Sequence, residues 1–260
     1  KIPASRLPLW LIDSQHRTSG IKHAIEELDC EHLINYPLIL TIVENKELEW
    51  EAEQFELINT TQKKVSVDLA RQTLAAMFDS NPAMRLKVKN SGLLPEVQGQ
   101  KLAKKMNDEC PALKGLIRQP NQTAKDAPNA RLTSSTFVTT LKKTLRLPGI
   151  GRIAREEDNL FDLFSNYWMA LKEILPEAFA DTKSYQLVRS VGCGSMHHII
   201  GDVIDYAAKP TKNDFKKILA PIFEQYGEDF WHSSNKGGAS MFTSGGNQLK
   251  LADIFREELY

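Results

Sequence analysis

The chain has 260 residues, of which 33 are lysine or arginine and 33 are aspartate or glutamate, so its formal net charge is zero. Hydrophobic residues make up 42% and charged residues 25% of the sequence. This composition is typical of globular proteins and excludes collagen-like, coiled-coil and disordered chains. A neutral chain also lacks a global positive field that would draw it to nucleic acid or to a membrane.

The sequence indicates a soluble, cytoplasmic protein with no membrane partner. Its longest apolar run, Leu38 to Val43, is far shorter than the roughly 20 residues that cross a bilayer. The cysteines Cys30, Cys110 and Cys193 are widely spaced, which is typical of a reducing compartment. Because the chain begins at Lys1 rather than at a methionine, we expect a fragment or a trimmed N-terminus, with some strands of the first domain missing.

The first 80 residues alternate between strand-like and helix-like segments. Two apolar runs, Leu7 to Ile12 and Pro37 to Val43, predict buried strands. Between them, apolar residues recur at helical spacing from Ile21 to Leu28. Two further helices are predicted over residues 48–58 and 65–77. Strands that alternate with helices favour an α/β unit.

Beyond residue 80 the strand signal fades and helical patterns dominate. The polar, proline-containing stretch from Asn107 to Arg131 predicts a long loop. Helices are predicted over residues 133–145, 158–175, 183–191, 195–208, 212–226 and 249–259, with a glycine- and serine-rich loop over 233–247. We therefore predict an α/β domain over residues 1–130 and an all-helical domain over residues 131–260.

Charge is unevenly distributed along the chain. Basic residues dominate between Lys101 and Arg155, and such a stretch can contact phosphates. A solvated surface balanced by acidic residues elsewhere in the fold is an alternative of equal weight. The predicted DNA-contacting residues are Lys104, Lys105, Lys142, Lys143 and Arg146.

The most informative segment is the strand-to-helix turn from Ile12 to Gly20. The start of a helix presents free backbone N–H groups and the positive end of the helix dipole, which together favour an anion. Arg17 can donate two parallel hydrogen bonds to a phosphate, and His16 can donate another. Asp13 could hold a metal or orient a water molecule. An ordinary helix cap with a surface arginine fits the same residues.

Three blocks of sequence resemble the DGQHR-domain family. The run from Ile12 to Arg17 reads IDSQHR, which resembles the family signature with Ser14 in place of its glycine. The block from Phe55 to Ser66 is similar to the family segment that contains the pattern IN-(S/T)-x-Q-K-x-(V/I)-S. A third, weaker block runs from Met106 to Pro111 and continues with Gly115 to Ile117.

The DGQHR family is itself similar to the ParB/sulfiredoxin fold, so the resemblance implies a ParB/sulfiredoxin-like α/β (α+β) N-terminal domain. In ParB proteins, the corresponding turn and a later block close around nucleotide phosphates. The resemblance implies catalytic roles for Asp13, Gln15 and His16. The implied phosphate- or nucleotide-binding residues are Ser14, His16, Arg17, Thr18, Asn59, Thr61, Gln62 and Lys63. Gln15 occupies the position of the sulfiredoxin cysteine, which excludes sulfinic-acid repair.

Known members of the DGQHR family belong to bacterial DNA-modification systems, among them the regulatory component of the DNA phosphorothioation (Dnd) system. The resemblance implies a DNA-associated protein that binds ATP or another nucleotide and hydrolyses it, with Mg²⁺ as the accompanying ion and no metal ligands identified. The implied partners are DNA and other components of a DNA-modification system, and homo-oligomerisation stays open. The alternatives are a non-enzymatic DNA-binding transcriptional regulator and, third, a ParB-like nuclease.

Two later segments allow weaker interpretations. His197 and His198 could ligate a metal together with Asp202, since His198 and Asp202 would share one face of a helix, and Cys193 could act as a nucleophile. A helix start broken by glycines is the simpler interpretation. Lys236 in the glycine- and serine-rich loop could contact a DNA backbone, although a plain loop is again the simpler interpretation.

Overall fold

A computed structural model describes residues 15–37, 67–153, 157–243 and 247–259 of the chain. The chain divides into two compact units, Lys1–Lys64 and Val65–Tyr260. The domain boundary predicted near residue 130 lies inside the second unit.

The described part of the first unit is helical. Helix α1 spans Gln15–Glu27, which confirms the helix predicted from the apolar spacing. A 3₁₀ helix follows over Glu31–Asn35. Between them, Asp29 has a φ of 51°, a left-handed conformation that aspartate tolerates better than most residues because its short side chain can hydrogen-bond locally.

The predicted ParB/sulfiredoxin-like α/β domain is contradicted by the structure. The described residues are mostly helical, and their one sheet is a parallel pair of two-residue strands, β1 (Ile117–Arg118) and β2 (Leu132–Thr133). The predicted strand at residues 7–12 lies outside the described residues, and so does the predicted strand at residues 37–43 except for Pro37. Short apolar runs fit a buried strand and a buried helical segment equally well, so the inferred alternation rested on an ambiguous pattern.

The described part of the second unit is an assembly of helices. They are α2 (Val67–Ser80), α3 (Pro82–Asn90), α4 (Leu94–Glu109), α5 (Ser134–Thr144), α6 (Pro148–Ile153), α7 (Glu157–Ile174), α8 (Pro176–Ala180), α9 (Ser190–Tyr206), α10 (Lys212–Gln225), α11 (Glu228–Trp231) and α12 (Asn247–Glu257), with a 3₁₀ helix over Ala239–Phe242. None of the helices in the described ranges is both long enough and apolar enough to cross a membrane.

The predictions of α5, α7, α10 and α12 are confirmed to within a few residues. The helix predicted over residues 183–191 is wrong, because most of that segment forms turns. The Asp181 carboxylate accepts the N–H groups of Lys183 and Ser184, and the Gln186 N–H donates to the Trp231 carbonyl at 2.8 Å. Asp181 thus caps a single turn as it would cap a helix start, but the Gln186 N–H that would continue a helix is bonded to Trp231 instead. Helix α9 consequently begins at Ser190.

Helix α9 lies at the centre of the core of the second unit. It packs against α5 and α12, and its residues from Val191 to His197 are buried. Gly192 and Gly194 lie within this helix instead of breaking it. A Cβ atom on Gly192 would lie 2.2 Å from the Leu187 carbonyl oxygen. The absence of a side chain at Gly192 therefore allows the turn at Leu187 to pack directly against α9. A smaller cluster of Ala75, Val88 and Val97 joins α2, α3 and α4.

The long connection between α4 and α5 contains both strands and is held by Asn107. The Asn107 side chain accepts the Ile117 N–H at 3.0 Å, and the Asn107 carbonyl accepts the Gly115 N–H at 3.0 Å. At its end, the Thr133 hydroxyl caps α5 by accepting the Thr136 N–H at 3.1 Å. The connection therefore delivers the chain to α5 in a defined position.

Candidate nucleic-acid interface

The predicted nucleotide site falls largely outside the described residues. Those that lie outside are Asp13, Ser14, Asn59, Thr61, Gln62 and Lys63. Those that the structure places are Gln15, His16, Arg17 and Thr18, which form the first turn of α1. The backbone N–H groups of the first three residues of a helix have no partner within the helix, so the turn at Gln15, His16 and Arg17 retains the property on which the phosphate prediction depends.

The two predicted DNA contacts on α4, Lys104 and Lys105, both interact within the protein. Lys104 Nζ lies 2.5 Å from Asp108 Oδ2, and this hydrogen bond is the main reason that the pKa of Asp108 is lowered. Lys105 Nζ lies 4.7 Å from the centre of the Phe161 ring, a cation–π contact. We call Lys104 and Lys105 the α4 pair. Because both lysines already interact within the protein, they are less available to bind a phosphate.

The three predicted contacts at the end of α5, which we call the α5 group, differ from one another. Lys142 Nζ lies 3.6 Å from Glu96 Oε1, and this lysine is half-buried. Lys143 and Arg146 are exposed, and neither has an acidic side chain within ion-pair distance in the described ranges. Since lysines near a helix C-terminus also stabilise the helix dipole, Lys142 and Lys143 have a structural role as well.

The α4 pair and the α5 group lie at different ends of the α4–α5 contact. Glu96 of α4 faces Lys142 of α5. Gly99 of α4 lies against Val138 of α5, since a Cβ atom added to Gly99 would be 3.2 Å from the Val138 side chain. Residue numbers thus rise along one helix as they fall along the other, so the two helices run antiparallel. At 1.5 Å per helical residue, the α4 pair lies about 12 Å along α4 from the end where the α5 group lies.

The α5 group adjoins α9. The Thr144 hydroxyl donates to the His197 carbonyl at 2.7 Å, which fixes the last turn of α5 on α9. The pKa of the half-buried His198 is lowered, first by burial and then by the positive charges of Lys143 and Arg256. Two positive charges therefore act on His198 at this helix junction, and the carboxylate of Asp253 offsets part of their effect.

Asp202 is engaged by an arginine, contrary to the proposed pairing of His198 and Asp202 around a metal. Arg256 Nε donates to Asp202 Oδ2 at 2.9 Å, and Arg256 also donates to the His198 carbonyl and to Asp253 at 2.6 Å. This arginine joins α12 to α9. In the part of the chain that the structure describes, no cluster of three or more His, Cys, Asp or Glu side chains could hold a metal ion.

Cys193 and His197 form a buried cluster with Thr140 that is closed to solvent. Thr140 Oγ1 lies 2.8 Å from His197 Nδ1, and Cys193 Sγ lies 3.7 Å from the same nitrogen. Burial raises the pKa of Cys193 to about 12 and lowers the pKa of His197 to about 3. Both groups are therefore neutral at pH 7. Because the thiolate is the nucleophile, a buried neutral thiol does not support the catalytic interpretation of Cys193.

The glycine- and serine-rich loop is organised by its own hydrogen bonds. The Asn235 side chain accepts the Gly237 N–H at 3.0 Å, and His232 Nδ1 lies 2.6 Å from Ser234 Oγ. Lys236 is exposed on this loop. The internal bonds favour the interpretation as a structural loop.

Sequence reasoning missed one pair of cations, Arg131 and Arg189. The positive charge of Arg131 is, after burial, the main cause that lowers the pKa of Arg189. Arg131 belongs to the basic stretch identified above, but Arg189 lies far along the chain, in a segment that the apolar pattern assigned to a helix. No local signal connects the two residues.

Comparison of the chain with protein-family models, with curated proteins and with solved structures found no match.

Proposed function

We propose that this protein associates with DNA by binding its phosphate backbone. The observation that carries the proposal is the exposed pair Lys143 and Arg146, which has no acidic partner in the described residues. A cation without an internal partner binds a phosphate without first breaking an ion pair. DNA binding of this kind releases counterions from the duplex and is therefore sensitive to salt.

The composition around this pair supports the same function. From Lys101 to Arg155 the sequence has 12 basic and 3 acidic residues, so the neutral chain concentrates positive charge in one stretch. Contacts to phosphates position a protein on DNA but do not read the base sequence. This function suits a component of a DNA-modification system or its non-enzymatic transcriptional regulator, as the DGQHR resemblance implies.

The test is the salt dependence of binding to a labelled duplex oligonucleotide, followed by fluorescence anisotropy. For the double variant Lys143→Gln/Arg146→Gln we expect weaker binding, with the slope of log K against log[NaCl] smaller by about 2 because two phosphate contacts are lost. The matched control is Lys209→Gln/Lys217→Gln, which removes two exposed lysines elsewhere in the second unit. No binding by the wild type at low salt, or equal slopes in the wild type and the double variant, would contradict the proposal.

A second candidate function is nucleotide hydrolysis at the start of α1. It is favoured by the position of Gln15, His16, Arg17 and Thr18 in the first turn of that helix. This first turn contains no acidic residue. The ligand proposed here is ATP or another nucleotide with Mg²⁺. In this proposal, Arg17 and the helix N–H groups stabilise negative charge on the transferred phosphoryl group, and Asp13 orients the attacking water.

Phosphate release from ATP, GTP and CTP with Mg²⁺, measured with and without DNA, tests this second function. We expect turnover by the wild type and its loss in Arg17→Ala, whereas Lys22→Ala, an exposed change on the same helix, should retain it. Circular dichroism verifies that each variant is folded. If no nucleotide is hydrolysed while DNA binding is salt-sensitive, the non-enzymatic regulator is the correct function.

A further inference from the structure

We propose that Arg131 and Arg189 form a phosphate-binding subsite of the second unit. The inference rests on the proposed function, since it assumes a ligand with phosphate groups, and it extends that function to residues outside the α5 group. Arg131 precedes the start of α5 and Lys143 lies near its end. At 1.5 Å per residue the two ends of α5 are about 16 Å apart, so this subsite is separate from the α5 group.

Arg189 is held in place by backbone carbonyl groups. Its Nε donates to the Thr182 carbonyl at 3.1 Å, and its Nη2 donates to the Lys183 carbonyl. Two bonds to neighbouring carbonyls fix the plane of the guanidinium group. Both acceptors are uncharged, so the bonds orient the arginine and leave its positive charge unneutralised.

The remaining donors of Arg189 are available to a ligand. A guanidinium group carries five N–H donors, of which the two carbonyls take two. The other three have no acceptor in the described part of the protein, and no carboxylate there lies within ion-pair distance of Arg189. A pre-oriented guanidinium with free donors suits phosphate, whose oxygens accept two parallel N–H bonds.

A hydrogen-bond link through Thr182 brings the backbone just before Arg131 close to Arg189. The Thr182 hydroxyl donates to the Asn129 carbonyl at 2.8 Å, while the Thr182 carbonyl accepts from Arg189. Arg131 follows Asn129 by two residues and is exposed. The positive charge of Arg131 acts unfavourably on Arg189, and a bound anion near both groups would relieve this repulsion.

Asp181 is the acidic residue whose negative charge acts on Arg189, but it forms no ion pair with Arg131 or Arg189 in the described part of the chain. Asp181 Oδ1 accepts the N–H groups of Lys183 at 3.0 Å and Ser184 at 3.2 Å, so this oxygen is engaged by the turn. Lys183 is exposed on the same turn and adds a third positive charge. The subsite thus keeps an excess of positive charge.

A phosphate could come from a nucleic-acid backbone or from a free nucleotide, and the test distinguishes these sources. The variant is Arg131→Gln, because Arg131 is exposed and its replacement leaves the carbonyl bonds of Arg189 intact. The control is Lys217→Gln, an exposed cation on α10. The probes are a duplex oligonucleotide, titrated at several NaCl concentrations, and inorganic pyrophosphate, followed by the shift in melting temperature.

For a backbone phosphate we expect the slope of log K against log[NaCl] to fall by about 1 in Arg131→Gln and to stay unchanged in Lys217→Gln. For a free phosphate, pyrophosphate raises the melting temperature of the wild type and of the control but not of Arg131→Gln. That result, with no oligonucleotide binding by the wild type, would support the subsite and refute the proposed DNA function. If Arg131→Gln and the wild type bind the oligonucleotide equally and respond equally to pyrophosphate, the subsite proposal is wrong and the DNA-binding proposal is unaffected. If neither probe acts on the wild type, both proposals are wrong.

Discussion

His197 shows how a single residue acquires its properties from its surroundings. Its imidazole is fully buried, hydrogen-bonded to the Thr140 hydroxyl and in T-shaped contact with three aromatic rings. Those rings belong to Phe137, Phe164 and Trp168. Because burial penalises the charged form, the neutral imidazole is favoured and the pKa falls to about 3. The residue therefore acts as an internal hydrogen-bonding group that specifies how α5 meets α9.

This depressed pKa predicts a loss of stability in mild acid. In the unfolded chain the histidine has a pKa of about 6.5. As the pH falls below that value, His197 binds a proton in the unfolded state but not in the folded state. The free energy of unfolding should then fall by up to about 1.4 kcal/mol per pH unit, until the pH nears 3.

Urea unfolding of the wild type and of His197→Gln between pH 7 and pH 4.5 measures this contribution. We expect a shallower decline in the variant, which lacks the titrating group. His232→Gln, at a half-buried histidine on the loop after α11, serves as the control. Parallel pH profiles for the wild type and His197→Gln would show that His197 does not cause the acid sensitivity.

At the scale of elements, the glycines of α9 allow close approach that regular helices would prevent. Gly192 touches the turn at Leu187, and a Cβ on Gly194 would meet the Gln248 side chain at the start of α12. Intrinsic propensity disfavours glycine within a helix by about 1 kcal/mol relative to alanine. Here packing outweighs propensity, since α9 meets several neighbours over its buried length.

We expect Gly192→Ala to destabilise the second unit by about 1–3 kcal/mol, because the new methyl group would overlap the rigid backbone of Leu187. The control is Gly149→Ala in α6, where a Cβ atom would meet nothing within 4 Å. Helix propensity alone should make that control neutral or slightly stabilising. Denaturant unfolding measures both, and equal stability of the two variants would contradict the close-packing argument.

At the scale of the whole molecule, the two units divide the proposed functions. The helix start at Gln15–Thr18 belongs to the first unit, whereas the α5 group and the Arg131–Arg189 subsite belong to the second. The second unit contains its own hydrophobic core, built around α9 and its neighbours. A unit with its own core is expected to fold by itself.

We therefore expect a fragment of residues 65–260 to unfold cooperatively and to keep salt-sensitive DNA binding without phosphate release. Thermal unfolding, anisotropy with the duplex oligonucleotide and the phosphate-release assay check these three properties. The full chain is the reference in each assay. A fragment that is folded but no longer binds the oligonucleotide would place the DNA contacts of this protein in the first unit.

Local pattern in the sequence was sufficient to predict several elements of the second unit. Helices α5, α7 and α10 follow from apolar spacing, and α5 also from the cap at Thr133, because these signals act between residues within one or two turns. The basic stretch was visible for the same reason. The ambiguous apolar runs near the N-terminus carried no comparable local signal, and the α/β fold inferred from them was wrong.

Tertiary structure alone decided which charges stay available and which side chains are buried. It paired Lys142 with Glu96 and, through Thr182, joined Arg189 to Asn129, two residues before Arg131. It also enclosed His197 in the core. Each of these outcomes depends on residues that are distant in sequence and adjacent in space, where distance and desolvation set the electrostatic energy. A spacing pattern holds only local information, so these properties emerge when the helices pack.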